Sequence, residues 1–281
     1  MSNLFKKIVD SALAEDFASG DVTTEALVPA DLKGKASILV KKDGVLAGIA
    51  VAKEVFSNVD PSLRFKALVK DGAKVRGGVV VATIQGKVAS ILKAERVALN
   101  FLQHLSGIAT ETARYVEAVS GTKAIITDTR KTIPGLRLLE KYAVRVGGGH
   151  NHRLNLGDGV LIKDNHLVAL RSLGVGLGEV VKKARQRAPR KLKVEVEVES
   201  VEEALEAVLA GADIIMLDNM KLEDMRRVVE LVRGRALLEA SGGITLDNVR
   251  AVAETGVDLI SIGALTHSAK ALDISLELDA G

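Results

Sequence analysis

Five basic side chains in the middle of the chain form the strongest candidate for a chemical site. Arg130 and Lys131 follow one apolar run, and Lys163 ends another. His152 and Arg153 follow a glycine triplet. Parallel α/β folds bind their ligands at the carboxyl ends of strands. Because a guanidinium group can hold a carboxylate through two hydrogen bonds, these residues predict a site for an anionic substrate.

The other polar and flexible positions around these cations have simpler interpretations. The triplet Gly147 to Gly149 would let backbone approach a ligand closely. Arg137, Lys141 and Arg145 are spaced along a segment that begins with Pro134 at a plausible first helical position. We therefore interpret these three charges as one face of a solvated helix, outside the site.

Acidic residues alternate with valines in the segment KVEVEVES, which is the period of a strand. An edge strand with one wet face would explain the pattern. In a barrel, however, Glu195, Glu197 and Glu199 would point inward, where an unpaired carboxylate is costly. Asp218 ends the next predicted strand, so Glu197 and Asp218 are candidates to hold a Mg²⁺-bound sugar or to stabilise positive charge on it.

Two glycine-bearing turns, 239–245 and 261–269, each connect a predicted strand with a predicted helix. Free backbone N–H groups at a helix N-terminus bind phosphate, and barrel phosphate sites commonly use the last two strand-helix loops. The candidate phosphate ligands are Ser241, Gly242, Gly243, Gly263 and Ala264.

The elements that must position these residues repeat at a period of roughly 20 residues after residue 120, which is typical of strand-helix units. The predicted strands are 124–127, 159–163, 193–198, 213–217, 236–240 and 257–262, and the predicted helices between the last four are 201–209, 222–232 and 246–254. Parallel strands of this kind close as a barrel or stay open as a doubly wound sheet. The sequence favours the barrel modestly.

The first part of the chain follows a different pattern. Residues 35–92 contain strand-like runs separated by turns, which predicts a second, strand-rich domain. Part of it, DGAKVRGGVVVATIQG, also has the glycine spacing of lipoyl and biotinyl carriers, but no lysine occupies a convincing attachment position. Residues 94–119 predict a long helix.

Composition excludes several functional classes. The chain has 281 residues, no cysteine, 2% aromatic residues and a net charge of +3. It therefore has no disulfides or thiolate chemistry, it lacks the basic and aromatic surface of a nucleic-acid binder, and we expect it in the cytoplasm. No apolar stretch approaches the roughly 20 residues of a membrane span. P-loop, dinucleotide-binding, zinc and serine hydrolase motifs are also absent from the sequence.

Taken together, these motifs resemble the quinolinate phosphoribosyltransferase family. The resemblance covers nearly the whole chain, and its most specific block is DTRKTIPGLRLLEKYAVRVGGGHNHRLNLGDGVLIKDNH. The other matching segments are EDFASGDVTTEALVP, AERVALNFLQHLSGIAT, VEVEVES, MLDN, EASGGIT and SIGALTHS. The resemblance implies an α/β fold: an N-terminal α/β sandwich domain, residues 1–110 with the tail 270–281, and an incomplete barrel of about seven strands, residues 111–269.

The resemblance also implies a reaction and the residues that perform it. The family transfers phosphoribose from phosphoribosyl pyrophosphate (PRPP) to quinolinate and releases carbon dioxide, with Mg²⁺ as the cofactor. By resemblance, the quinolinate ligands are Arg130, His152, Arg153 and Lys163, with Arg96 contributed by a partner subunit across the interface of a homodimer or hexamer. Lys131, Glu197 and Asp218 would serve PRPP and Mg²⁺, and Thr129, Ser241, Gly242, Gly243, Ile262, Gly263, Ala264 and His267 complete the predicted substrate site.

One departure and three rival functions accompany this interpretation. Ile133 stands where the family usually has threonine, and we expect a local change in hydrogen bonding without loss of function. The first rival is a nicotinate phosphoribosyltransferase, which needs fewer cations and releases no carbon dioxide. A Schiff-base aldolase using Lys131 or Lys163 is the second, and a non-catalytic carrier or scaffold protein is the third.

Overall fold

A computed structural model describes residues 3–17 and 20–279. Its helices are α1 (Asn3–Asp16), α2 (Val22–Leu27), α3 (Ile49–Val59), α4 (Val88–Ala118), α5 (Arg137–Val146), α6 (Asp164–Arg171), α7 (Leu177–Arg187), α8 (Val201–Leu209), α9 (Leu222–Val232), α10 (Val249–Ala253) and α11 (Ala264–His267). Its strands are β1 (Lys33–Val40), β2 (Gly44–Val45), β3 (Arg64–Ala67), β4 (Lys74–Val75), β5 (Val80–Lys87), β6 (Ile125–Thr127), β7 (Val160–Ile162), β8 (Val194–Val198), β9 (Ile214–Asp218), β10 (Leu237–Ser241), β11 (Leu259–Ser261) and β12 (Ile274–Asp279).

The contacts between residues divide the chain into two compact units. The first takes its described residues from Met1–Ala113, Thr132–Gly148 and Ala264–Gly281, and the second consists of Arg114–Lys131 and Gly149–Gly263. The predicted domains change at residues 110 and 269, whereas this division alternates between the two units more often along the chain. The predicted limits stay a prediction. Within the described residues, no helix has both the length and the apolar character of a membrane span.

The second unit contains a parallel sheet in the order β6-β11-β10-β9-β8-β7. The first strand of the unit, β6, pairs with the last, β11, so the sheet curves back on itself as a barrel does. A single parallel bridge joins Thr127 of β6 to His150 on the other side. The incomplete α/β barrel is therefore confirmed, with six strands and a one-residue bridge where about seven strands were predicted.

The hydrophobic pattern of the barrel strands explains this arrangement. Val194, Val196 and Val198 alternate along β8 and are all buried. Helix α8 packs against β8 and β9 and buries its own apolar stripe, which includes Ala204 and Ala207. Burying these apolar faces against each other stabilises the barrel wall and leaves the intervening residues of each strand facing the interior.

The first unit contains an antiparallel sheet in the order β12-β1-β5-β3. Its central strand β1 buries alternate residues, Ala36, Ile38 and Val40. The C-terminal strand β12 pairs with β1 along six residues. Helix α4 buries residues three or four positions apart, including Leu102 and Leu105, as an amphipathic helix against a core must.

Several local predictions in this unit are wrong. Residues 35–92 are not strands and turns throughout, because Ile49–Val59 forms helix α3. Helix α4 begins at Val88, six residues before the predicted start at 94. Helix α5 begins at Arg137 with Leu136 as its N-cap, so Pro134 precedes the helix and is not its first residue.

The glycine triplet has a structural role that we did not predict. A β-carbon at Gly147 would lie 2.4 Å from the carbonyl oxygen of Ala109 and 2.7 Å from Cβ of Thr112. Only glycine allows the end of α5 to approach α4 this closely. Gly147 is therefore needed for packing within the first unit.

Candidate active site

The carboxyl ends of the barrel strands surround a cavity of about 550 Å³. Eleven of the predicted site residues line it: Thr129, Arg130, Lys131, His152, Arg153, Lys163, Glu197, Asp218, Ser241, Gly242 and Gly243. The remaining lining residues are Leu161, Met216, Asn219, Glu239 and Ser261. The fold thus brings most of the predicted residues into a single pocket of the second unit.

Five predicted residues are not among those that line this cavity. Ile262 is buried, and its N–H donates to the carbonyl of Thr127, 3.0 Å away. Gly263 follows it at the end of the second unit. Arg96, Ala264 and His267 belong to the first unit, where Arg96 and His267 are exposed. The roles predicted for these residues stay predictions.

Two of the cations that line the cavity, Arg130 and Arg153, lie near each other. Burial lowers the pKa of Arg153, and the positive charge of the nearby Arg130 lowers it further. Arg153 also donates from Nη1 to the carbonyl of Gly159, at 3.3 Å. Two guanidinium groups held near each other repel, and an anion between them relieves that repulsion. This part of the pocket is electrostatically suited to a carboxylate ligand.

A fully buried aspartate holds the loop that carries His152. One oxygen of Asp128 accepts a hydrogen bond from the backbone N–H of His152, at 2.9 Å. The other accepts one from Asn151 Nδ2, at 2.6 Å. Asp128 is 0% exposed, so the loop is anchored by a carboxylate that directly follows β6. We did not assign Asp128 a role from the sequence, although it begins the most specific family block.

Three side chains from different elements form a cluster that we call the buried triad: His152, Glu195 and Glu239. His152 Nε2 lies 3.1 Å from Glu195 Oε2 and 3.5 Å from Glu239 Oε2. Glu239 is completely buried, and within the described residues neither of its oxygens accepts a hydrogen bond. The imidazole ring is therefore the principal partner of two buried carboxylates.

The triad fixes the charge of His152. Burial alone would lower the pKa of His152, but the contact with Glu195 and the negative charges of Glu195 and Glu239 outweigh it and raise the pKa to about 10. Burial, and then the charge of Glu239, raise the pKa of Glu195, while His152 opposes them. At neutral pH, His152 is an imidazolium cation and adds to the positive charge of the pocket.

A second pair of acidic residues lines the pocket, and we call it the carboxylate pair: Glu197 and Asp218. Partial burial raises the pKa of Glu197, and the negative charge of Asp218 raises it further, while Lys163 opposes both. Both carboxylates line the same cavity, and the charge of Asp218 acts on Glu197. Oxygen ligands of this kind suit Mg²⁺.

The strand β8 confirms part of the predicted pattern. Glu195 belongs to the buried triad and Glu197 lines the cavity. Glu199 is exposed and does not line it, because it follows the end of the strand at Val198. The prediction that all three glutamates point into the barrel is therefore wrong for Glu199.

The interpretation of helix α5 as a solvated helix also requires correction. Arg145 is exposed, but Lys141 is only 3% exposed and Glu140 is 0% exposed. Glu140 Oε1 lies 2.9 Å from His104 Nε2, and its other oxygen accepts a hydrogen bond from the N–H of Ile133, at 3.1 Å. Charged groups of this helix are therefore part of the interior of the first unit.

Glu239 and Asn219 are two polar cavity residues that sequence reasoning missed. Glu239 was part of the turn EASGGIT, but the glycines that follow it attracted the prediction. Asn219 was part of the motif MLDN, in which only Asp218 was assigned a role. The available signal for Glu239 was a carboxylate two residues before the predicted ligand Ser241, in a predicted strand (236–240) whose other residues are apolar.

The fold and the pocket together define an α/β-barrel protein with a polar site for an anionic ligand at the carboxyl ends of its strands. Comparison with known families gives two matches: the N-terminal domain of quinolinate phosphoribosyl transferase over residues 21–106, and its C-terminal domain over residues 108–277. The chain belongs to the quinolinate phosphoribosyl transferase family.

Individual relatives match almost the full length of this chain. A probable nicotinate-nucleotide pyrophosphorylase (carboxylating) of Bacillus subtilis is 45% identical, over 97% of this chain and 93% of the relative. A mitochondrial quinolinate phosphoribosyltransferase (decarboxylating) of Nicotiana glauca is 44% identical, over 98% of this chain and 82% of the relative. The solved nicotinate-nucleotide pyrophosphorylase of Francisella tularensis has a TM-score of 0.93 at 42% identity, covering 99% of this chain and 96% of that one.

Proposed function

We propose that this protein is a pentosyltransferase that transfers the phosphoribosyl group of PRPP to quinolinate with loss of carbon dioxide. The products are nicotinate mononucleotide, carbon dioxide and pyrophosphate, in the de novo synthesis of NAD. The observation that carries the proposal is the one cavity that is lined both by Arg130, Arg153 and Lys163 and by the carboxylate pair. A dianionic acceptor and a magnesium-bound donor need these two groups of side chains in one pocket.

Quinolinate binds on the cationic side of the pocket. Arg130 and Arg153 receive its carboxylates through paired hydrogen bonds, and Lys163 contributes a further charge. His152, kept protonated in the buried triad, donates to the same ligand. Four positive groups match a substrate with two carboxylates better than one with a single carboxylate, which disfavours nicotinate as the acceptor.

PRPP binds on the side of the carboxylate pair. Thr129 and Lys131, which line the cavity, are proposed to bind the pyrophosphate, and the charge of Lys131 favours the leaving anion. The 5′-phosphate accepts hydrogen bonds from the N–H groups of the turn Ser241–Gly243. The turn that contains Ile262, Gly263, Ala264 and His267 is proposed as the second part of this phosphate site.

The carboxylate pair fits a Mg²⁺ ion delivered with PRPP. Glu197 and Asp218 supply oxygen donors whose mutual repulsion a divalent cation would relieve. When bound, Mg²⁺ neutralises part of the charge on the pyrophosphate. The carboxylates themselves favour the positive charge that develops on the ribose.

The reaction begins when the pyridine nitrogen attacks the anomeric carbon. A carbon–nitrogen bond forms there as the bond to pyrophosphate breaks, through a transition state with oxocarbenium character. Correct orientation of two bound reactants contributes roughly 7 to 11 kcal/mol. The quaternary nitrogen then stabilises the electron pair left on the ring when the 2-carboxylate departs as carbon dioxide, and a proton from solvent completes the product.

We also propose a homodimer, or a hexamer built from dimers, in which Arg96 reaches the quinolinate site of the partner subunit. The exposure of Arg96 on helix α4 supports this proposal, since the side chain is free to meet another chain. The cytoplasmic location expected from the sequence stays a prediction.

One assay tests the proposed function. The purified protein is incubated with Mg²⁺, PRPP and either quinolinate or nicotinate, and both the nucleotide product and the carbon dioxide are measured. We expect nicotinate mononucleotide and an equal amount of carbon dioxide from quinolinate alone. Efficient product formation from nicotinate without carbon dioxide would instead identify the first rival function.

A further inference from the structure

Asn219 connects two parts of the pocket that the proposed function assigns to the two ends of PRPP. Its side-chain Nδ2 donates a hydrogen bond to Asp218 Oδ2, at 2.8 Å. Its backbone N–H donates to the carbonyl oxygen of Ser241, at 2.9 Å. Asn219 therefore bonds to the carboxylate at the end of β9 and to the beginning of the glycine turn after β10.

The contact with the glycine turn is unusually close. A β-carbon at Gly242 would lie only 2.3 Å from Asn219 Oδ1 and 2.5 Å from its Cγ. No side chain larger than hydrogen fits between them. The Asn219 amide thus occupies the space above Gly242, which faces the cavity.

The backbone at Asn219 is held in a conformation that few residues adopt. Its φ angle is 52°, and Arg233 is the other non-glycine residue with positive φ in the part of the chain that the structure describes. Asparagine tolerates this left-handed region better than most residues. Such strained positions persist where the surrounding structure requires them, and they are concentrated at functional sites.

We propose that Asn219 is a positioning residue that sets the distance between the Asp218 carboxylate and the turn Ser241–Gly243. This inference rests on the proposed function, in which the carboxylate serves the ribose and Mg²⁺ and the turn serves the 5′-phosphate. One phosphoribosyl donor must reach both, so their separation has to match its length. Asn219 contacts both groups and so sets their separation. Its side-chain amide orients Asp218, while its backbone N–H and its side chain hold the turn.

The decisive variant is Asn219→Gly. Glycine accepts the positive φ angle and keeps the N–H that bonds to Ser241, so only the side chain is lost. We expect the KM for PRPP to rise roughly tenfold or more, as for the loss of a hydrogen bond to a charged group. The KM for quinolinate should stay within about twofold, because the cationic side of the pocket is unchanged.

Asn219→Asp gives a second, independent test. Aspartate has nearly the same shape and also tolerates positive φ, but its carboxylate cannot donate to Asp218 and repels it. We expect a larger rise in the KM for PRPP than in Asn219→Gly. A rise smaller than that of Asn219→Gly would contradict the role of the amide hydrogen bond.

The matched control is Arg233→Gly. It also replaces a non-glycine residue at positive φ with glycine, but Arg233 is the C-cap of helix α9 and does not line the cavity. We expect wild-type KM values for both substrates. If Arg233→Gly reproduced the kinetic change, the effect would be one of general backbone strain and the positioning role would be refuted.

The contact with Gly242 can be tested by a double-mutant cycle. Gly242→Ala alone should displace the Asn219 side chain and raise the KM for PRPP. In Asn219→Gly the space above Gly242 is no longer filled by a side chain. Adding Gly242→Ala to that variant should therefore raise the KM for PRPP less than Gly242→Ala does in the wild type. Strict additivity of the two changes would show that the side chain and the turn are independent.

Direct binding separates this inference from the proposed function. Calorimetry of PRPP with Mg²⁺ measures affinity without turnover, in the wild type and in Asn219→Gly. A weaker affinity in the variant supports the positioning role even if the wild type fails to decarboxylate quinolinate. Unchanged affinity and unchanged KM for PRPP, or equal rises in the KM of both substrates, would overturn it.

Discussion

Glu239 and Glu197 lie at the same level of the barrel sheet but have opposite environments. Both are in register with Met216 of the strand between them. Glu239 is completely buried against His152, whereas Glu197 is partly exposed in the cavity. Strand position therefore brought both carboxylates into the barrel. The loop carrying His152 covers one of them and leaves the other open.

This difference separates carboxylates used by the protein from those offered to a ligand. The buried triad uses two negative charges to hold one imidazolium cation, and so prepares the cationic side of the pocket. The carboxylate pair has Lys163 beside Glu197 and a hydrogen bond from Asn219 to Asp218, but no buried cation of its own among the described residues. Two carboxylates of this kind on a cavity wall can bind a cation or a positively charged transition state.

The largest expected effect comes from removing the centre of the triad. His152→Ala leaves Glu195 and Glu239 buried without their cation, and loss of one partner from a buried ion pair costs about 3 to 5 kcal/mol of stability. Lys163→Ala, which removes the cation beside the more open Glu197, should cost less than about 1 kcal/mol. Urea unfolding at neutral pH measures both. Equal losses would show that burial does not distinguish the two carboxylate groups.

The next effect concerns quinolinate. Arg153→Ala removes a charged fork from the cationic side, and we expect the KM for quinolinate to rise by about tenfold to a hundredfold. The KM for PRPP should change much less. Arg130→Ala should behave in the same way. Equal increases for both substrates would contradict the assignment of separate sides to the pocket.

The complementary variant concerns PRPP. Glu197→Gln keeps the size of the side chain but removes its charge, and we expect PRPP use or turnover to fall by about tenfold. Stability should change by less than about 0.5 kcal/mol, because the carboxylate is not a partner in a buried ion pair. Initial-rate kinetics and thermal unfolding give the two quantities. Unaltered kinetics would show that the carboxylate pair is misinterpreted.

A smaller effect follows from the raised pKa of His152, which is about 10 against an ordinary value of 6.5. Because the folded state binds this proton more tightly, the stabilisation is complete below pH 6.5 and is lost as the pH rises towards 10. Glu239→Gln removes one negative charge, so the pKa of His152 in the folded protein should fall. The stabilisation by the protonated His152 should then be lost over a narrower pH range. NMR titration of His152 measures the shift, and an unchanged midpoint would contradict the role of Glu239.

The smallest effect is expected at the departure from the family pattern. Ile133 is exposed, and its backbone N–H donates to Glu140 whichever side chain is present. Ile133→Thr should therefore change kcat/KM by less than about twofold. An inactive wild-type protein that gained activity from this substitution would show that the threonine hydroxyl is required.

The sequence by itself determined the strands of the parallel sheet and most of the pocket residues, while the closure of the sheet towards a barrel was decided by the tertiary structure. Apolar runs at regular spacing predicted all six barrel strands within two residues at each end. Arg130, Lys163 and Asp218 were predicted because each lies at or soon after the end of such a run, whereas Glu197 was predicted from the alternation along β8 and Arg153 from its place after a glycine triplet. Strand ends of a parallel barrel meet on one face, so a local pattern was sufficient to bring them together.

Only the tertiary structure decided which charges are buried and which are open. The pairing of His152 with Glu239 and the approach of Asn219 to Gly242 join residues on different strands and loops. No local period encodes such contacts, because they depend on how loops fold over the barrel mouth. Burial then sets the electrostatics. A buried carboxylate such as Glu239 keeps a histidine charged, whereas a partly exposed carboxylate such as Glu197 remains available to a ligand.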